Sequence, residues 1–233
     1  MSGRRHASAH VFVDDLTAPE LHDDDRHHLS RVLRLRDGEL VTASDGRGSW
    51  RPCRFAVEGG LVVDGEIVNE STHRSEVVVV FALTKGDKPE LVVQKLTEIG
   101  IDRIIPMVSE RSVARWDDDK AARNVERLHK VAREAAMQSR RVSVPVIGGM
   151  MSSVAQVVAE FGPRVALAEP DADTFESTTD IDVLIVGPEG GFTPSELDAC
   201  RRHVSLPGGV LRAETAAIVA GVMLVQRRQN RSR

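Results

Sequence analysis

The alternation of apolar and amphipathic segments after residue 75 is the feature that most constrains the fold of this 233-residue chain. Segments typical of buried strands are 76–83, 101–108, 142–147, 164–169, 182–186 and 204–206. Segments typical of helices are 87–100, a long stretch with Val125, Leu128, Ala132, Ala135 and Ala136 on one face, 151–161, 194–203 and 215–226. Asp87 and Glu90 have capping-box spacing, and Gly100 is a stop signal. Strands that alternate with helices form a mostly parallel sheet covered on both faces, so the sequence predicts an α/β domain over residues 73–233.

Residues 1–72 show a different pattern, in which short strands are separated by turns. The strand-like segments are 9–13, 38–45, 49–58 and 61–68, and Asp-Gly pairs at 37–38, 45–46 and 64–65 mark turns. One helix interrupts them, with Leu29, Val32, Leu33 and Leu35 facing inward. This region is predicted to form a small β-barrel, and the boundary between the domains falls in residues 69–75.

Composition excludes several classes of protein. No apolar run approaches the roughly 18 residues that span a bilayer, and the N-terminal segment lacks the apolar stretch of a signal peptide. Cys53 and Cys200 have no second thiol nearby for a zinc ribbon or a disulfide framework. The acidic and histidine-rich segment 22–28 falls on several sides of a predicted helix and turn, which disfavours a metal site. We expect a cytoplasmic protein with reduced thiols, no metal and no membrane association.

Charge is segregated along the chain, although the net charge is only −4. Residues 111–141 hold nine Lys/Arg against five Asp/Glu, and residues 201–233 hold seven against one. Residues 142–200 show the reverse, one against ten. Nucleic-acid binding requires clustered cations, so this segregation permits a basic surface on an acidic protein but does not establish one.

Residues 187–191, the first glycine loop, follow the apolar run 183–186 and precede a helix start. Thr193, Pro194 and Glu196 have the spacing of a capping box with proline at the first helical position. Glycines permit positive φ and close approach of a ligand to main-chain groups. In parallel sheets, ligands bind outside the carboxyl ends of strands. The sequence predicts a ligand site here.

Residues 206–212, the second glycine loop, repeat this arrangement one βα unit later. Arg212, Glu214 and Thr215 lie just before an apolar helix that is expected to be buried on all sides. Two adjacent glycine loops would enclose a site. The chain lacks the P-loop, the dinucleotide-binding and the nucleophile-elbow motifs, so a small ligand held by main-chain atoms, with Arg and Glu beside it, is what remains.

The motifs LIVGPEGGFTPSEL and VLRAETAA together resemble the SPOUT class of methyltransferases, and specifically the ribosomal RNA small subunit methyltransferase E family. Further similarity lies in RVLRLRDGE, in LTKGDKPELVVQKLTEIGIDRIIPMVSERSV and in EAAMQSRRVSVPVI, so the likeness covers nearly the whole chain. It implies a PUA-like β-barrel over residues 1–72 that helps to hold RNA. It also implies a SPOUT domain over residues 73–233 with a deep trefoil knot, and a homodimer.

The resemblance implies transfer of a methyl group from S-adenosylmethionine to N3 of a uridine in the decoding region of 16S ribosomal RNA, within the 30S subunit. The implied cofactor-binding residues are Gly187, Pro188, Glu189, Gly190, Gly191, Leu206, Leu211 and the segment Arg212 to Thr215. Arg212 is placed to stabilise negative charge on the uracil carbonyl oxygens, and either Glu214 or Glu189 would accept the N3 proton. The implied RNA-binding residues are Arg31, Arg34, Arg36, Arg111, Arg133, Arg140 and Arg141.

Two departures from the family pattern weaken parts of this assignment. Pro207 and Gly209 stand where the family has glycine and arginine, and His10 and Val11 precede Phe12 where the family tends to have arginine. Two other functions stay open: ribose 2′-O methylation of transfer or ribosomal RNA on the same fold, and a non-catalytic RNA-binding module in which the glycine loops are plain turns.

Overall fold

The computed structural model describes residues 4, 6–58, 60–70, 75–175 and 180–231, with the side chains of residues 118 and 119 left aside. The chain forms two compact units. The first comprises Met1–His73 and Arg133–Val144, and the second comprises Arg74–Ala132 and Pro145–Arg233. Part of the predicted boundary, residues 71–74, lies outside the described residues.

The first unit is built on a five-stranded mixed sheet. Its strands are β1 (Ala9–Phe12), β2 (Leu40–Ser44), β3 (Ser49–Ala56), β4 (Gly60–Val63) and β5 (Val68–Asn69). Strand β1 pairs with β2 in parallel, β3 pairs antiparallel with β2 and β4, and β5 pairs with the start of β3. Alternate side chains such as Val11, Val41, Cys53 and Phe55 fill the core, as the period-two pattern predicts. The Asp-Gly turns are confirmed at Gly38 and Gly46, which have φ of +80° and +70°.

The predicted helix of the first unit is shorter and less regular than its sequence indicates. Helix α1 (Asp23–His27) continues as a π-helical turn over His28–Val32. Leu29 is buried, but Val32 and Leu33 are exposed, so the prediction that both face inward is wrong. The wider π-helical turn changes the rotation per residue and carries these two side chains out of the apolar stripe.

The second unit contains a six-stranded sheet, and all of its pairs are parallel, as predicted. The strands are β6 (Val78–Ala82), β7 (Arg103–Met107), β8 (Val146–Ile147), β9 (Val165–Ala168), β10 (Val183–Val186) and β11 (His203–Val204). Their order across the sheet is β11-β9-β10-β6-β7-β8. Because every strand runs the same way, the connections that follow them emerge at one edge of the sheet.

Helices cover the sheet on its two faces. The helices are α2 (Lys88–Ile99), α3 (Asp118–Gln138), α4 (Val154–Phe161), α5 (Pro194–Ala199) and α6 (Ala213–Arg231). Helices α4 and α5 pack on the face formed by Val78, Val80, Val183 and Ile185. Helices α2 and α6 pack against each other, and α6 contacts β6 and β10. Helix α3 ends in the first unit, which includes its residues from Arg133 onwards.

Two details of the helices differ from the sequence predictions. Asp87 makes no side-chain cap on α2, so the predicted capping box is absent there, although Gly100 ends α2 with φ +112° as predicted. Glu90, the other residue of that predicted capping box, pairs instead with Arg127, a partner that no local spacing rule indicates. Helix α6 is not buried on all sides, because Val222 remains exposed.

Candidate active site

The first glycine loop leaves the buried end of β10 and turns sharply into α5. Gly191 has φ +66° and its N–H donates to the Pro188 carbonyl at 2.9 Å. A Cβ on Gly187 would lie 3.0 Å from two atoms of the Phe192 ring, which is tighter than normal packing allows. A side chain at position 187 would therefore require the Phe192 ring to move by a few tenths of an ångström.

The buried carboxylate of Glu196 stabilises the first glycine loop. The predicted capping box is confirmed: Thr193 caps α5, and Glu196 accepts the Thr193 N–H at 2.9 Å. The other oxygen of Glu196 accepts the Ser109 hydroxyl at 2.8 Å and the Glu110 N–H at 3.0 Å. Burial pushes the pKa of this carboxyl up, but the four hydrogen bonds outweigh burial, and its pKa is lowered. The loop is thus tied to the segment that follows β7.

Arg111 reinforces the same connection. Its guanidinium donates to the Gly190 carbonyl at 2.9 Å, and Glu110 accepts the Ser195 hydroxyl at 3.0 Å. The side chain of Arg111 is largely exposed, so it lies at the surface of the loop that it supports. Arg111, one of the seven arginines that the resemblance assigns to RNA binding, therefore also supports the first glycine loop.

The second glycine loop follows β11, which pairs with β9 rather than with β10. The two glycine loops therefore follow strands that are separated by β9, although they are neighbours along the chain. Leu206 and Leu211 are half-buried, and Leu211 packs against Gly208. Arg212 and Thr215 are exposed at the start of α6, where the Arg212 carbonyl accepts the Ala216 N–H at 2.8 Å.

Lys88, which the sequence analysis does not single out, connects the first glycine loop to the start of α6. Its ammonium donates to Glu189 at 3.1 Å and lies 3.2 Å from Glu214, close enough for an ion pair although no hydrogen-bond geometry is met there. The Glu189 contact, followed by the Glu214 contact, raises the pKa of Lys88. The pKa of Glu214 is lowered by its own N–H and then by Lys88. Lys88 lies inside the matching stretch 83–113, but only the folded chain shows what it contacts.

Thr84 lies at the same edge, just after β6. Its side chain is buried, and within the described part of the chain no group hydrogen-bonds its Oγ1. A buried hydroxyl without a partner costs about 1–3 kcal/mol, so such groups in native proteins commonly serve a ligand or a water. Thr84 is therefore a second residue of this edge that the sequence analysis misses.

The remaining arginines predicted to bind RNA belong to the first unit. Arg31, Arg34 and Arg36 are exposed. Arg133 is held by Asp25 at 2.6 Å, and Arg140 donates to the Arg4 carbonyl at 3.0 Å. Arg141 is half-buried, and its carbonyl bonds the ring of His10 at 2.8 Å.

His10, a departure from the family pattern, is a core residue of this unit. It is buried, its Nδ1 lies 2.8 Å from the Thr42 hydroxyl, and burial above all lowers its pKa to about 4. Because the Arg141 carbonyl can only accept, Nε2 carries the proton and Nδ1 accepts from Thr42. The ring has no free nitrogen with which to contact RNA.

The families that the chain matches define it as an RNA methyltransferase with a PUA domain. Residues 71–225 match the family model described as an RNA methyltransferase domain, and residues 21–69 match the RNA methyltransferase PUA domain. Ribosomal RNA small subunit methyltransferase E of Mycobacterium bovis is 33% identical over 84% of this chain and 82% of its own length. The Bacillus subtilis protein of that name is 29% identical over 83% and 84%. The chain therefore belongs to the ribosomal RNA small subunit methyltransferase E family.

A solved structure of a relative agrees with this assignment. Ribosomal RNA small subunit methyltransferase E from Neisseria gonorrhoeae, bound to S-adenosyl methionine, superposes with a TM-score of 0.76. The sequences are 25% identical, and the match covers 94% of this chain and 97% of that one. Among the residues that the structure describes, no helix is long and apolar enough to cross a membrane, and no group of three or more His, Cys, Asp or Glu is arranged to hold a metal.

Proposed function

We propose that this chain transfers a methyl group from S-adenosylmethionine to N3 of a uridine in the decoding region of 16S ribosomal RNA, within the 30S subunit. The observation that carries the proposal is the carboxyl edge of the parallel sheet, where two glycine loops meet a cluster of charged side chains. Family membership supports the class of reaction.

The chemistry of the site supports S-adenosylmethionine as its ligand. Gly187 has no side chain and is half-buried beside Phe192, and the buried hydroxyl of Thr84 lies at the same edge without a hydrogen-bond partner among the described residues. Glu189 and Glu214 supply negative charge for a cationic ligand. We assign Gly187, Pro188, Glu189, Gly190, Gly191, Leu206, Leu211 and Arg212 to Thr215 to cofactor binding. When bound, the cofactor supplies an electrophilic methyl group on a sulfonium centre.

Arg212 and one carboxylate are proposed to act on the uracil. Loss of the N3 proton leaves negative charge on the flanking carbonyl oxygens, and the exposed guanidinium of Arg212 stabilises that charge. Of the two candidate bases, Glu214 is the less favoured, because its own N–H and then Lys88 lower its pKa and because little of its side chain is accessible to the uracil. Glu189 is more exposed and is the better candidate to accept the proton.

Residues 1–72 are proposed to hold the RNA as a PUA-like barrel through the exposed Arg31, Arg34 and Arg36. Further arginines outside this range are proposed to contribute, namely Arg133, Arg140, Arg141 and, from the catalytic domain, Arg111. The catalytic domain, residues 73–233, is proposed to carry the trefoil knot of the SPOUT class. A homodimer is also proposed, as the resemblance to the family implies. A substrate in the ribosomal subunit places the reaction in the cytoplasm.

Methyl transfer to isolated subunits tests the proposal. Purified protein is incubated with labelled S-adenosylmethionine and 30S subunits from a strain that lacks the enzyme, and the modified nucleotide is mapped. We expect label on N3 of one uridine, and an Arg212→Ala variant that is slower by on the order of 100-fold. Label on a ribose would support the 2′-O alternative. Absence of S-adenosylmethionine binding at millimolar concentration would support a non-catalytic RNA-binding module.

A further inference from the structure

Lys88 lies outside both glycine loops, at the first position of α2. The connection from β6 to α2, residues 83–87, carries it to the carboxyl edge of the sheet, and β6 is the neighbour of β10. Its ammonium group therefore reaches the site from the strand next to the one that supplies the first glycine loop. Lys95, on the same helix, makes only a local pair with Glu98, at 2.9 Å.

The contacts of Lys88 join two parts of the chain that are distant in sequence, the first glycine loop and the start of α6. Glu189 is in the first glycine loop, and Glu214 is in the first turn of α6, just after the second glycine loop. The side chain of Glu214 is only 13% exposed, so its charge is poorly hydrated. Without a cation between them, the two carboxylates would repel each other, and Glu214 would be left charged and mostly covered.

We infer that Lys88 is a positioning residue that holds the first glycine loop and the start of α6, which follows the second glycine loop, in their ligand-binding arrangement through its shared contact with Glu189 and Glu214. This inference rests on the proposed binding of S-adenosylmethionine. The competing role for Lys88 is direct binding of an RNA phosphate. Because two carboxylates already neutralise its ammonium group, the positioning role is favoured.

Substitution of Lys88 tests the inference by calorimetric titration with S-adenosylmethionine from about pH 3.5 to about pH 8, a range that includes the lowered pKa of Glu214. Lys88→Met should weaken binding by about tenfold, because the loss of the arrangement that two partly exposed ion pairs hold outweighs the added attraction of the unpaired carboxylates for the cationic ligand. Lys88→Arg keeps the charge and should stay within about threefold of the wild type. Lys95→Met, the matched control on the same helix, should bind as the wild type does.

The pH dependence separates positioning from a merely structural role. Lys88 lowers the pKa of Glu214, after the carboxyl's own N–H, so its removal raises that pKa. The pH below which binding weakens should therefore move upwards in Lys88→Met, but not in Lys95→Met. The groups facing Glu214 that contribute to this shift are its own N–H, Lys88 and Arg212.

Carbon-13 NMR of Glu214 in the ligand-free protein gives a readout that does not depend on the cofactor. A higher pKa of Glu214 in Lys88→Met than in the wild type would support the contact. If Lys88→Met lowers the thermal midpoint, the double variant Lys88→Met/Glu214→Gln should recover it. Unchanged affinity and an unchanged Glu214 pKa would overturn the inference, as would a change confined to the KM for RNA. If wild type and Lys95→Met also fail to bind S-adenosylmethionine, the proposed function fails, while NMR still decides whether Lys88 controls Glu214.

Discussion

Neutralising the buried carboxylate of Glu196 is the sharpest perturbation of the first glycine loop. The side chain of Glu196 accepts four hydrogen bonds, two on each oxygen, from Thr193 and from the segment Ser109–Glu110. Glu196→Gln has nearly the same shape but replaces one acceptor oxygen with an amide nitrogen. That nitrogen must face at least one N–H or O–H donor, whichever way the amide is turned.

The expected cost follows from the bonds that are lost. Hydrogen bonds to a charged group contribute about 1.5–3 kcal/mol each, and a buried donor left without a partner costs about 1–3 kcal/mol. The Thr193 hydroxyl can rotate away, so one main-chain donor is lost outright while the other contacts become neutral. We expect Glu196→Gln to lower the free energy of unfolding by about 3 kcal/mol, or roughly 10 °C in Tm for a protein of this size.

Urea denaturation followed by far-UV circular dichroism measures this loss, and Asp198→Asn, at an exposed position of the same helix, is the matched control. The folded pKa of Glu196 is below its ordinary value of 4.5, so the stabilisation is present above that pH and disappears as pH falls through the folded pKa. The difference between wild type and Glu196→Gln should shrink in acid. A loss below about 0.5 kcal/mol at pH 7, the size typical of surface substitutions, would refute the reasoning.

Two further outcomes are expected. Because the folded pKa of His10 is about 4 against 6.5 in the unfolded chain, the unfolded state takes up the proton first, and stability should fall by up to about 3 kcal/mol as pH drops from 6.5 to 4. His10→Gln should lose that part of the pH dependence of Tm, and an identical dependence would contradict the assignment. In Gly221→Ala, the new Cβ would lie 2.5 Å from Leu96 inside the α2–α6 contact. Overpacking costs about 1–3 kcal/mol, which should exceed the gain of about 1 kcal/mol in helix propensity. Chemical denaturation should therefore show a net loss in the free energy of unfolding. A stabilised variant would show that Leu96 moves freely.

Local patterns predict much of the second unit because each rule acts over a few residues. The continuous apolar runs at 78–82 and 183–186 can only be buried strands, and the capping box at Thr193 sets the start of α5. The carboxyl-edge rule then predicts that the first glycine loop lines a ligand site.

The predictions that are wrong depend on non-local or irregular geometry. Val32 and Leu33 turn outward because a π-helical turn replaces the expected α-helical one, and no spacing rule signals that change. Asp87 has capping-box spacing, but its ψ of 12° is not the extended conformation that a cap requires. The insertion of β9 between β10 and β11 is a property of the sheet order, which no single segment determines.

Lys88 illustrates why a site residue can escape sequence reasoning even when its motif is recognised. Its two partners are 101 and 126 positions away along the chain, so their proximity arises only from the sheet order and from the packing of α2 on α6.

The contact of Lys88 with Glu189 and Glu214 also explains how a site with two carboxylates can serve a reaction on RNA. In the proposed reaction Glu189 and Glu214 attract the cationic cofactor, but two bare carboxylates would repel a phosphate backbone. Lys88 offsets part of that charge, and Arg111 and Arg212 at the same edge add further positive charge, so the site attracts the cation without excluding the polyanion.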